Sequence, residues 1–193
     1  MRDKNYTLKN LRNGVNSIIR QIHLDHFEPD YVVGLTRGGL MPALMISHYL
    51  DVPMHTLNVS LRTTNDSYQG PESNLWMAEE AFGLLSEEEQ AVNKSRWDVS
   101  KRKNILIVDD INDTGATFNW IKQDWQSSCF PKETTSWQTV WAKNVKITVL
   151  INNEASQFKD VHYVGDSINK LDEPDVWYHF PWECWWHEDS FSG

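Results

Sequence analysis

Ile105-Leu-Ile-Val-Asp109-Asp110-Ile-Asn112-Asp113-Thr114-Gly115-Ala116-Thr117 decides the fold. Ile105 to Val108 are apolar without alternation, so both faces of such a strand must be covered, as in parallel sheets flanked by helices. The strand ends in two carboxylates, and a small, hydroxyl-bearing turn then opens a helix at Gly115. In open α/β sheets ligands gather beyond the carboxyl ends of the strands. The turn from Asp113 to Thr117 can offer backbone N–H groups and two hydroxyls at a helix N-terminus, an arrangement suited to a phosphate monoester. Gly115 and Ala116 are small enough to let the backbone approach it closely. Asp109 and Asp110, acceptors only when ionised, suit vicinal hydroxyls or Mg²⁺. A strand followed by Asp-Thr-Gly alone reads equally well as a capped turn; the full run is more specific.

Working outward, Leu8, Leu11, Val15, Ile18, Ile19 and Ile22 recur at helical spacing after Thr7, a candidate N-cap. Tyr31 to Leu35 reads as a strand, Leu40 to Leu50 as a helix, and Pro53 to Val59 as a second strand. Gly115 to Trp125 is the next helix, followed by strands at Val145 to Ile151 and Val161 to Val164. This alternation predicts an α/β fold with an open, doubly wound, mostly parallel sheet. Two stretches interrupt it. Residues 60–103 form a long insertion in which Ser86 and Glu89 have capping-box spacing. Residues 127–144 read as an irregular loop. Long connections of this kind are typically lids or disordered, and 60–103 is expected to be a lid.

The chain has 193 residues, enough for one domain over 1–193. Its core is expected at about 30–165, with a small C-terminal hood over 166–193. The formal charge is 18 − 27 = −9, a poor match for nucleic acid, which calls for a basic stripe. Lys101-Arg102-Lys103 is read as a solvated strand entry. Cys129 and Cys184 are far apart, the N-terminus has no apolar leader, and no apolar run approaches membrane-spanning length. A reduced, cytoplasmic protein with no membrane partner is expected. Cys184 and His187 lack the second pair of ligands that zinc needs.

Two further segments agree with the first. Val32-Val-Gly-Leu-Thr36-Arg37-Gly38-Gly39-Leu40 is another strand-turn-helix unit, with consecutive glycines for unusual backbone angles and Arg37 for charge. Near the C-terminus stands Trp177-Tyr-His-Phe-Pro181-Trp182-Glu183. The run Ile105 to Thr117 resembles the signature of type I phosphoribosyltransferases, which binds 5-phosphoribosyl-1-pyrophosphate (PRPP). Thr36 to Leu40 resembles the pyrophosphate loop of the xanthine-guanine and hypoxanthine members, where Ser-Arg-Gly-Gly-Leu is common. Trp177 to Glu183 resembles the base-holding segment of the same purine-salvage enzymes, which ends in Pro-Trp-Asp.

The resemblance implies transfer of the phosphoribosyl group of PRPP to a nucleobase, a purine by the likeness of the segment Trp177 to Glu183, with Mg²⁺ and release of pyrophosphate. It implies that Asp109 and Asp110 hold the ribose hydroxyls and their metal, that Thr114, Gly115, Ala116 and Thr117 hold the 5-phosphate, and that Arg37, Gly38 and Gly39 hold the pyrophosphate. Asp113 would be the acid/base residue at the ring nitrogen, Trp177 would stack on the base, and Glu183 would reach a second metal through water. A homo-oligomer is implied by analogy. A non-catalytic PRPP or nucleotide sensor on the same fold is the alternative. Two positions depart from the family. Asn112 stands where an apolar residue is usual, which predicts weaker local packing. Asn153 stands where the 6-oxopurine enzymes carry a lysine, which predicts an amide at the edge of the base and weaker discrimination.

Overall fold

The computed structural model describes residues 2–59, 74–183, 185 and 186. In chain order the elements are β1 (Arg2–Asn5), α1 (Leu8–Leu24), β2 (Tyr31–Leu35), α2 (Leu40–Leu50), β3 (Met54–Leu57), α3 (Leu75–Phe82) and α4 (Glu87–Asn93). They continue with β4 (Ile105–Asn112), α5 (Ala116–Ser128), α6 (Thr134–Thr139), β5 (Val145–Asn153), β6 (Tyr163–Ile168) and β7 (Val176–His179). Five strands form one parallel sheet in the order β3-β2-β4-β5-β6.

The strand residues sort by parity. Val32, Leu106 and Val108 pack with Val15, Ile18 and Ile22 of α1 and with Ala43 and Ile46 of α2. Tyr31, Val33, Ile105 and Ile107 pack on the other side with Phe82 of α3 and with Phe118, Ile121 and Trp125 of α5. The unbroken apolar run in β4 is thus explained by a helical layer on each face, and the expected open, doubly wound α/β fold is present. Thr7 caps α1 as expected: its hydroxyl accepts from Asn10 N at 3.1 Å, and its own N–H donates to Asn10 Oδ1 at 3.0 Å.

One expectation is revised, and two others gain detail. Most of 127–144 is helical: α5 runs to Ser128, and α6 (Thr134–Thr139) continues into a π-helical turn at Val140–Asn144. Trp137, Val140 and Trp141 are buried at i, i+3, i+4 spacing, and Trp141 stacks between Trp125 at 5.4 Å and Trp137 at 5.8 Å. Of the expected lid, residues 60–73 lie outside the described residues. In the remainder, Met77, Ala78, Ala81 and Phe82 of α3 are buried in the core, while the Ser86–Glu89 capping box does open α4. Finally, the hood is built from both ends of the chain. β1 pairs in parallel with β7, Arg2 opposite Val176 through Asn5 opposite His179. Tyr6 packs on Phe180 at 5.2 Å.

Candidate active site

Sheet order positions the site. From β2 the chain goes outward to β3, then returns past β2 to β4, so the order reverses between β2 and β4. In such sheets ligands bind at the carboxyl edge where the strand order reverses. The two Gly- and Asp-bearing motifs are the loops that leave these two strands.

The loop after β2 lies directly on β4. A Cβ on Gly38 would fall 1.9 Å from Asp110 Oδ2, and one on Gly39 would fall 2.2 Å from the Val108 carbonyl oxygen. A side chain at Gly39 would run into backbone, and one at Gly38 would have to displace the Asp110 carboxylate. Gly39 N donates to Leu35 O at 2.9 Å, closing the turn. The Thr36 hydroxyl is 3.0 Å from Asn58 Oδ1, which ties the loop to the chain leaving β3. The Thr36–Arg37 peptide is cis. Arg37 is exposed at the tip.

β4 runs further than the apolar pattern shows, through Asp109 and Asp110 to Asn112. Burial raises the carboxyl of Asp109 well above the usual range, and the charge of Asp110 raises it further. Burial, and then the charge of Glu183, push Asp110 up to about 6. Two carboxylates in a largely enclosed position, with no ion pair to a cation among the described residues, favour a bound proton or a bound metal. Glu183 belongs to the hood, where its Oε2 accepts from Phe180 N at 2.9 Å. Among the described residues no group of three or more His, Cys, Asp or Glu could hold a metal alone. The donor set still fits Mg²⁺, which commonly binds through one or two carboxylates, waters and substrate oxygens.

Past β4 the turn opens α5. Gly115 is its N-cap with φ 87°, a left-handed conformation that favours glycine. A Cβ there would also fall 2.4 Å from Phe158 N. The N-cap Gly115 offers no side-chain cap, and the Ala116 N–H donates to the Thr114 hydroxyl at 3.3 Å, so the next N–H groups of the first turn are the ones that can face an anion; Thr114 and Ala116 are exposed beside them.

Asn112 is buried, but it is not a packing defect. Its Nδ2 donates to Asn152 Oδ1 at 2.8 Å and to Phe158 O at 3.1 Å, and its Oδ1 accepts from the Ser156 hydroxyl at 2.9 Å. Ser156 Oγ in turn accepts from Phe158 N at 3.1 Å. This network fastens the segment after β5 under Gly115, a fully paired arrangement of the kind that specifies one conformation.

Asn153 departs from the expected role at the base edge. It is buried, and its amide is occupied by backbone: Nδ2 donates to Asp113 O at 2.8 Å, while Oδ1 accepts from Ala155 N at 3.1 Å and Lys170 N at 3.0 Å. An amide held by three such partners cannot flip to greet different bases. The sequence reading missed Lys170, whose ammonium lies 2.8 Å from Asp113 Oδ1. Its position after β6, outside every motif, left no local signal. Trp177 lies on β7 with an exposed ring, and neighbouring Phe180 and Trp182 stack at 4.9 Å.

Similarity to known proteins agrees with this geometry. A model of the phosphoribosyl transferase domain matches residues 4–189. The chain belongs to that family, a family of glycosyltransferase-type enzymes, and it stands near the purine-salvage members. It is 23% identical over 176 residues to the hypoxanthine-guanine phosphoribosyltransferase of Schizosaccharomyces pombe, covering 83% of this chain and 80% of that one. The fold is like that of a purine phosphoribosyltransferase from Pyrococcus horikoshii, with a TM-score of 0.58, 21% identity and 95% of each chain covered. It is also like that of the xanthine-guanine-hypoxanthine enzyme of Helicobacter pylori, with a TM-score of 0.57, 16% identity and 95% of each chain covered.

Proposed function

We propose that this protein transfers the phosphoribosyl group of PRPP to a purine base, releasing pyrophosphate, with Mg²⁺ as cofactor. The observation that carries the reading is the contact of Gly38 with Asp110 at the switch point. It brings the glycine loop after β2 against the carboxylates that end β4, from which the chain runs on into the turn that opens α5, an arrangement that supports binding of pyrophosphate, ribose hydroxyls and a 5-phosphate.

In this reading Arg37, Gly38 and Gly39 bind the pyrophosphate, Thr114 to Thr117 bind the 5-phosphate, and Asp109 and Asp110 hold the ribose hydroxyls. Asp110 would hold Mg²⁺, which supplies charge neutralisation for the departing pyrophosphate, and Glu183 would reach a second metal through water. The reacting sugar carbon develops positive charge as that group leaves, so most of the catalysis falls to positioning and electrostatics. Asp113 accepts the proton of the attacking ring nitrogen, and Trp177 stacks on the base. A cytoplasmic location and a homo-oligomeric state belong to the same proposal.

The test is pyrophosphate release from PRPP and Mg²⁺ with guanine, hypoxanthine, xanthine and adenine. Release with a purine is expected. Tight PRPP binding with no release for any base would replace the enzyme reading with that of a sensor.

A further inference from the structure

Lys170 is the cation placed against Asp113, and everything around it holds it there. Its side chain is 19% exposed, against 38% for Asp113, and the two are 2.8 Å apart. The backbone N–H of Lys170 donates to Asn153 Oδ1 at 3.0 Å, and Asn153 Nδ2 donates to the Asp113 carbonyl at 2.8 Å. One buried amide therefore sets the spacing between the two backbones while the ion pair sets the spacing between the side chains. The turn that carries Lys170 is fixed as well. Asn169 Oδ1 accepts from Leu171 N at 3.0 Å, and Asn169 Nδ2 donates to Asp172 Oδ2 at 2.8 Å. Glu173, three residues beyond Lys170, pairs with Lys4 at 2.6 Å and Arg2 at 3.4 Å, both on β1.

We propose that Lys170, held in place by Asn153, is a positioning residue for Asp113: its ammonium engages one carboxylate oxygen and leaves the other free to take the proton of the incoming base. The proposal rests on the reading of Asp113 as the acid/base residue. An aspartate on a turn can rotate about two side-chain bonds. A partner on Oδ1 restricts that rotation and fixes where Oδ2 points. Side-chain aim of this kind acts on turnover, because a misplacement of about 1 Å can cost about 100-fold. The same ion pair joins the turn that opens α5 to the segment leading into the hood, so the aim of Asp113 depends on the hood being in place.

The experiment is steady-state kinetics of Lys170→Met, Lys170→Arg, Asp113→Asn and the double variant Lys170→Met/Asp113→Asn, using hypoxanthine and guanine with PRPP and Mg²⁺. Lys170→Met should lower kcat by about 10- to 100-fold with little change in the KM for PRPP. Lys170→Arg should recover a substantial part of the loss, since a guanidinium can still reach the carboxylate. In the Asp113→Asn background the Lys170→Met change should cost less than about threefold, because the group it positions is already gone. Additive losses in the double variant, or no rescue by arginine with the fold intact by circular dichroism, would overturn the proposal. A parent-like kcat in Lys170→Met would do the same. If Asp113→Asn itself keeps full turnover, the failure lies instead with the acid/base reading beneath it. Should Lys170→Met fail to fold, Lys170→Gln, which keeps length and polarity, is read by the same cycle.

Discussion

Gly38 rests on the carboxylate of Asp110, so closely that a Cβ would fall 1.9 Å from its Oδ2. The contact joins the loop after β2 to the end of β4 and makes one site from two strand-turn-helix units. Gly38→Ala should therefore lift the loop off β4. Overpacking of this kind costs about 1–3 kcal/mol. The expected outcome is a higher KM for PRPP and a lower urea midpoint, measured by initial rates and by chemical denaturation. A variant with parental kinetics would show that the loop shifts freely.

Asp113→Asn keeps the shape of the turn and removes the proton acceptor. Turnover should fall by about 10²- to 10⁴-fold, the usual contribution of a general acid/base group. Binding of PRPP, followed by calorimetry, should change little.

Gly115 is required twice, by its φ of 87° and by the nearness of Phe158 N. Gly115→Ala should destabilise the fold by about 1–3 kcal/mol, the cost of holding a side-chain-bearing residue in a strained position. It should also weaken sulfate or phosphate binding at the start of α5. Thermal denaturation with and without phosphate measures both effects.

Asn112→Leu restores the apolar residue that the family usually carries. Here it should destabilise, because the Ser156 hydroxyl and the Phe158 carbonyl would lose their buried partner. Each unpaired buried polar group costs about 1–3 kcal/mol. A more stable Leu variant in urea would show that the polar network contributes nothing net.

Asp110 gives a pH dependence with a definite sign. Its folded value of about 6 lies above the ordinary range for a carboxyl, so its stabilising contribution is complete at low pH and is lost as pH rises through about 6. Asp109 is shifted the same way and adds to the effect. Without metal, Asp110→Asn should be more stable than the parent at pH 7.5 and should show little advantage at pH 4.5. Added Mg²⁺ with PRPP should narrow the difference at pH 7.5. Thermal melts at the two pH values check the sign.

The strand-and-helix order, the two strand-turn-helix units with their glycines and the doubly wound class were legible in the sequence because they are local. An unbroken apolar run, a helical period and a pair of glycines act within a few residues of themselves. The helix carrying Trp137 and Trp141 was legible in principle, but Pro131 and the Thr-Thr-Ser run hid its period. What only the tertiary structure decided is which distant side chains meet. The pairing of β1 with β7, the Asn112–Ser156 hydrogen bond and the ion pair between Lys170 and Asp113 each join residues that are tens of positions apart or more. A buried amide gives no sequence sign of whether it faces a ligand or a backbone. Asn153 illustrates this: its neighbours, brought together by parallel strands, satisfy its amide from three sides, and the charge facing Asp113 comes from Lys170.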